Sequence, residues 1–176
     1  MAQLSTLGLM HTRHFNIAIL LLLCICASGC VRDVSHDSRY PTDYAVGRVY
    51  RVKQPLFAQK ADLTIFGTYS YYILSTAQKN VADIPVSVEA YDKDRAYWTA
   101  IAGVAMPGTR LKVSKIVYRT NWEAGDGIWI EAMILDGSLA GSKPAELHFI
   151  SREVDRRSDL SVYIPMVDTN ILELVP

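Results

Sequence analysis

Side chains able to do covalent or metal chemistry are few and poorly placed for it. The three cysteines are Cys24, Cys26 and Cys30. A C-x-C spacing is not the C-x-x-C of a redox centre, and Cys24 and Cys26 sit inside an apolar run where no metal site would form. Of four histidines, only His36 and His148 lie beyond residue 30, and neither has a cysteine or second histidine at metal-ligand spacing. No H-E-x-x-H, G-x-S-x-G or phosphate-binding glycine loop occurs. Asp92 and Asp94 in "YDKDR" could form an acid/base pair, but in a turn they read as solvated charge. The Arg156-Arg157 pair in "VDRRSD" could clamp a carboxylate or phosphate. These residues make an envelope hydrolase using Asp92, Asp94 or His148 a minor reading. No cofactor or metal is expected.

Aromatic side chains carry more information. Tyr69, Tyr71 and Tyr72 in "GTYSYYIL" cannot share one face, because neighbours on a strand point to opposite sides. One side of that strand therefore presents tyrosine. Trp122 lies in the turn "NWEAGDG", where a core does not need a large ring. Rings with polar handles are what binding surfaces use. Tyr69, Tyr71, Tyr72, Trp122, Arg156 and Arg157 are the candidate partner contacts.

The N-terminal stretch says where these residues work. From Ile17 to Ala27 the chain is uncharged, with Arg13 between His11 and His14 ahead of it. Eleven residues rise only about 16 Å as a helix, against a hydrocarbon core roughly 30 Å thick. The run suits the helical h-region of an export signal rather than a span. Its end, Ala27-Ser28-Gly29-Cys30, resembles the lipobox of bacterial lipoproteins, with Ala27 where leucine is usual. The resemblance implies cleavage before Cys30, a diacylglyceryl group on its thiol and a further acyl chain on its amine. Residues 1–29 would then be a signal peptide. The mature chain from Cys30 to Pro176 would have no free thiol and no disulfide, and at 147 residues it is long enough to be stable without one. Val31, following the cysteine, points by the same resemblance to the outer membrane, facing the periplasm.

The elements that must position the candidate residues are short and β-like. Residues 30–44, including the polar "VRDVSHDSRYPTDY", read as the lipidated cysteine and a flexible tether, about 20 Å long as a coil. Residues 45–176 read as a single domain. "VGRVYRVKQ" alternates, with Tyr50 and Val52 on one face. "LTIFGTYSYYILST" reads as a strand with a bulge at Gly67, and "VSVEAYD" as a clean alternation. In "PGTRLKVSKIVYR", Leu111, Val113, Lys115 and Val117 oppose Lys112, Ser114, Ile116 and Tyr118. "IWIEAMIL" closes at Asp136-Gly137, and "AELHFIS" and "NILELV" complete the set. Residues 96–106 lean towards strand. The expectation is an all-β fold, a small barrel or sandwich of about seven antiparallel strands.

The order of a "VYRVKQPL" strand, a proline corner, an aromatic hairpin, a "GTRLKV" strand and a "DG" turn resembles small barrels of the Src-homology-three type. The resemblance covers about half of residues 45–140. It implies a module that binds peptides or cell-wall polymers, although fold does not fix function.

Charge excludes one class. With 18 basic and 18 acidic residues, the chain lacks the basic excess of a nucleic-acid binder. The sequence therefore points to a non-catalytic, lipid-anchored periplasmic domain that binds another protein, in its sharpest form an immunity or inhibitor lipoprotein. Its partners would be the bilayer, through acylated Cys30, and a periplasmic protein. A cell-wall or glycan-binding module is the alternative.

Overall fold

The structure, a computed structural model, describes residues 31–64, 68–77, 84–120, 126–153 and 162–176. The fold is all-β, as the alternation and turn spacing require. In chain order the strands are β1 (Val31–Asp33), β2 (Val49–Val52), β3 (Leu56–Thr64), β4 (Thr68–Ser75), β5 (Ile101–Ala105), β6 (Arg110–Arg119), β7 (Gly127–Ile134), β8 (Pro144–Glu146), β9 (Arg152–Glu153), β10 (Pro165–Met166) and β11 (Leu172–Leu174). A helix, α1 (Val88–Lys93), precedes β5, and a 3-10 turn (His148–Ile150) follows β8.

Nine strands form one sheet in the order β11-β2-β6-β7-β8-β4-β3-β5, with β1 beside β6; β9 and β10 pair separately. Ala105 near one end of that order and Leu172 at the other belong to the same buried cluster. The sheet therefore curls around its core like a barrel. The even-numbered residues Ile128, Ile130, Ala132 and Ile134 of β7 are essentially inaccessible, and each large aliphatic among them contributes about 1.5–3 kcal/mol by burial.

Several expectations needed correction. The strands number more than seven, and they are not all antiparallel: β4 runs parallel to β8 through Tyr72↔Ala145 and Ile73↔Glu146. "LTIFGTYSYYILST" folds as the expected aromatic hairpin and not as one bulged strand, since β3 and β4 pair back on each other from Phe57↔Ser75 to Thr64↔Thr68; Gly67 lies outside the described residues. "VSVEAYD" is helical from Val88. Ser87 caps α1 by accepting from the Ala90 amide, and this cap overrides the clean alternation. Residues 101–105 of the ambiguous segment are strand, as expected.

The expected tether is not free. Val31, Arg32 and Asp33 pair with Arg119, Tyr118 and Val117, and the Val34 amide donates to the Ile116 carbonyl at 2.9 Å. Val34 and Tyr44 are buried in the core. Polar composition concealed two anchoring residues spaced ten apart, which is enough to lay the segment along the domain.

A bulge in β6 resets which of its side chains face the core. The register runs Val113↔Ala132 and then Lys115↔Glu131, leaving Ser114 as the extra residue. An extra residue reverses the inward and outward sets beyond it. Leu111 and Val113 point inward before it and Ile116 after it. Lys115, expected beside Leu111 and Val113, is exposed.

Candidate functional site

The bulge places Arg119. Without it, this odd-numbered residue would share the core face with Leu111 and Val113. With it, Arg119 turns to the outer face. There β7 contributes Trp129 and Glu131, β8 contributes Glu146, and β4 contributes Tyr69 and Tyr71. The register explains the convergence: Glu131 stands opposite Glu146 across β7–β8, and Ile73, two residues on from Tyr71, stands beside Glu146 across β4–β8.

Two carboxylates opposed across a ladder repel, and here both are buried, Glu131 at 6% and Glu146 at 2% exposure. Arg119 resolves the conflict. One of its terminal nitrogens donates to Glu146 Oε1 and the other to Glu131 Oε1 at 2.9 Å. A planar guanidinium can serve two acceptors at once where an ammonium would be a single point. Tyr69 Oη donates to the other oxygen of Glu131 at 3.0 Å. The Ser114 hydroxyl, on the bulge itself, donates to the Glu131 carbonyl at 3.1 Å.

The electrostatics follow from this packing. Burial pushes the Glu146 carboxyl above its ordinary range, and the neighbouring Arg119 charge opposes that rise. Burial, and then the Glu131 charge, push the Tyr69 phenol up to about 12. Burial likewise raises Tyr71. Both tyrosines therefore stay neutral hydrogen-bond donors at any physiological pH.

Aromatic rings wall the network. The Arg119 guanidinium lies 5.1 Å from the Trp129 ring centre, a cation–π contact. Trp129 stacks on His148 at 4.8 Å, and His148 meets Tyr163 at 4.6 Å. Tyr69 and Tyr71 stack at 5.9 Å with an interplanar angle of 26°, and Tyr69 is 39% exposed. The site thus has a buried ionic floor, an aromatic wall and a tyrosine pair facing solvent.

Comparison of the chain with known protein families, characterised proteins and solved structures finds no match.

Of the candidate residues read from the sequence, Tyr69 and Tyr71 fall together on the outer face. Tyr72 does not: it is buried in the core, its hydroxyl 3.1 Å from Ser142 Oγ, because strand alternation sends it inward. Trp122, Arg156, Arg157 and Cys30 lie outside the described residues. His148 sits in the 3-10 turn rather than in a strand. Asp92 is exposed and bound to Arg95 at 2.5 Å, as a solvated charge should be. Among the described residues no group of three or more acidic, histidine or cysteine side chains could hold a metal ion, and no helix is long and apolar enough to cross a membrane.

Arg119, Glu131, Glu146 and Trp129 went unread in the sequence. A signal was present. Glu131 interrupts "IWIEAMIL" and Glu146 interrupts "PAELHFI", and an acid within a strongly apolar strand must find a partner if it is buried.

Proposed function

We propose that the chain is a lipid-anchored envelope protein whose β-domain binds a partner protein without catalysing a reaction. Cys30 carries the lipid, and the mature protein sits on the outer membrane facing the periplasm. In its sharpest form it is an immunity or inhibitor lipoprotein that neutralises an enzyme delivered into that compartment. The observation carrying the binding role is the Tyr69–Tyr71 pair, half-exposed on a strand and held from behind by a hydrogen bond to a buried ion network. Rigid aromatic pairs bury much area on binding while losing little conformational freedom. A charge network with every carboxylate engaged by Arg119 suits a scaffold for such a surface.

The test is photo-crosslinking in living cells from a residue introduced at Tyr71, followed by affinity measurement on the captured protein. Tyr69→Ala or Tyr71→Ala should weaken that complex by about 30-fold or more, the effect of losing a binding hot spot. Tyr72→Phe, altered only in the core, should not. Retention on purified peptidoglycan that is lost in Tyr69→Ala, with no crosslinked protein, would replace this reading with the glycan-binding one. Lipidation is checked separately: globomycin should accumulate uncleaved precursor, and an unchanged processing pattern would refute it.

A further inference from the structure

Because β1 begins at Val31, the residue directly after Cys30 is already paired with Arg119 of β6, and the bonded positions of the ladder follow at once. Consecutive Cα atoms are only about 3.8 Å apart. If Cys30 bears acyl chains, the domain has no leash, and the end of the sheet holding β1 and the last residues of β6 must meet the bilayer.

The chemistry of that end suits a headgroup layer. Arg32 sits against a pair of rings, its guanidinium carbon 5.9 Å from the Tyr40 centre and 5.4 Å from that of Tyr118. Its Nη2 donates to Tyr40 Oη at 3.0 Å, and the two rings pack at 5.7 Å. Nearby carboxylates are engaged locally: Asp33 accepts from the Ser35 amide, Asp37 pairs with Arg39 at 2.6 Å, and Asp126 accepts from Tyr118 Oη. Among the described residues no carboxylate pairs with Arg32. It is a cation held rigidly beside the anchor with donors to spare. Val31 next to it is apolar and 45% exposed. Tyrosines with polar tips, a guanidinium that no described carboxylate pairs with and an exposed aliphatic are the composition of an interfacial contact.

We propose that β1 docks the domain directly on the phospholipid surface, with Arg32 engaging a lipid phosphate and Tyr40 and Tyr118 lying at headgroup depth. This rests on the proposed lipid anchor at Cys30. It also makes the anchor an orienting device, since β1 pairs with Arg119, whose side chain belongs to the ion network behind Tyr69.

The test uses the full-length protein, processed in cells and reconstituted into phosphatidylethanolamine–phosphatidylglycerol vesicles. The acylated Cys30 thiol is blocked and the mature chain has no other cysteine, so Ser38→Cys or Ser138→Cys takes a fluorophore at one site. Both serines are exposed, Ser38 beside the patch and Ser138 just past the Arg110–Asp136 pair, at the opposite end of β6. Doxyl-labelled lipid should quench the label at 38 strongly and at 138 weakly; equal quenching overturns the proposal.

A glycine-serine spacer between Cys30 and Val31 then separates surface docking from a short leash. Preferential quenching should persist with the spacer, and Arg32→Gln in that background should weaken docking by about fivefold, the loss of one basic contact with an anionic surface. Even quenching with the spacer alone, or no effect of Arg32→Gln, overturns the role of Arg32. Acylation is read independently from the mass of the N-terminal peptide. A peptide without lipid refutes the anchor reading, whereas an acylated protein with even quenching refutes only the docking.

Discussion

Replacing Arg119 with methionine would keep most of the side-chain volume and remove the charge that holds Glu131 and Glu146 together. Two carboxylates would then face each other across β7 and β8 with almost no access to solvent. At an effective dielectric of about 20 and a separation of about 4 Å, each ion contact is worth roughly 4 kcal/mol, and the carboxylates repel each other by about 3 kcal/mol. The substitution forfeits both contacts, about 8 kcal/mol, and leaves the repulsion unopposed. Relief of the buried guanidinium's own desolvation cost offsets part of this, bringing the loss towards the 3–5 kcal/mol expected when one partner of a buried pair is removed. For a domain of this size that is a fall in Tm of about 10–15 °C. Urea unfolding of the leader-free Cys30→Ser domain would measure it.

The pH dependence sharpens the prediction. Burial already raises the folded Glu146 carboxyl above its ordinary value, and Arg119 opposes this. Without Arg119 the folded value rises further. A carboxyl whose folded pKa exceeds its unfolded one favours folding below the unfolded value of about 4.3 and loses that contribution as pH rises through the folded value. The deficit of Arg119→Met relative to wild type should therefore be largest near neutrality and shrink towards pH 4. Adding Glu131→Gln and Glu146→Gln should recover most of the lost stability. A deficit below about 1 kcal/mol at pH 7, smaller than the loss of an ordinary hydrogen bond, or one that grows on acidification, would refute the reasoning.

Ser87→Ala removes the side-chain cap of α1 and should cost about 1 kcal/mol, lowering Tm by about 3 °C in a thermal melt, whereas Ser87→Asp should keep most of the stability. Gly137, at the turn between β7 and the following loop, has φ +79° and open space around its Cβ position, so Gly137→Ala should destabilise by about 1 kcal/mol from backbone strain alone; Gly137→Asn should cost less, and a denaturant midpoint unchanged in both would contradict the turn geometry.

How much of this was legible in the sequence differs from element to element. Turn signals at Pro107-Gly108 and Asp136-Gly137 and the alternation of "VGRVYRV" lead straight to β2, β6 and β7, because turn chemistry and two-residue periodicity are local properties. The apolar run ending at Ala27-Ser28-Gly29-Cys30 is likewise a local pattern, and the proposed lipid anchor rests on it alone. The inward turn of Tyr72 against Tyr69 and Tyr71 follows from alternation as well, once the burial of one face is known.

Tertiary structure alone decided the rest. Whether residues 86–91 extend or coil depended on the Ser87 cap and on Tyr91 finding Phe57 to pack against. The segment 31–44 looked like a tether because its polar majority outweighed Val34 and Tyr44, and only a partner strand makes it ordered. Above all, the sequence places Glu131, Glu146 and Arg119 in three separate strands with no local relation. A single extra residue at Ser114, set by pairing between β6 and β7, carries Arg119 out of the core face and between the two carboxylates. Periodicity fixes which residues alternate, but register across strands fixes which of them meet, and register is a property of the whole sheet.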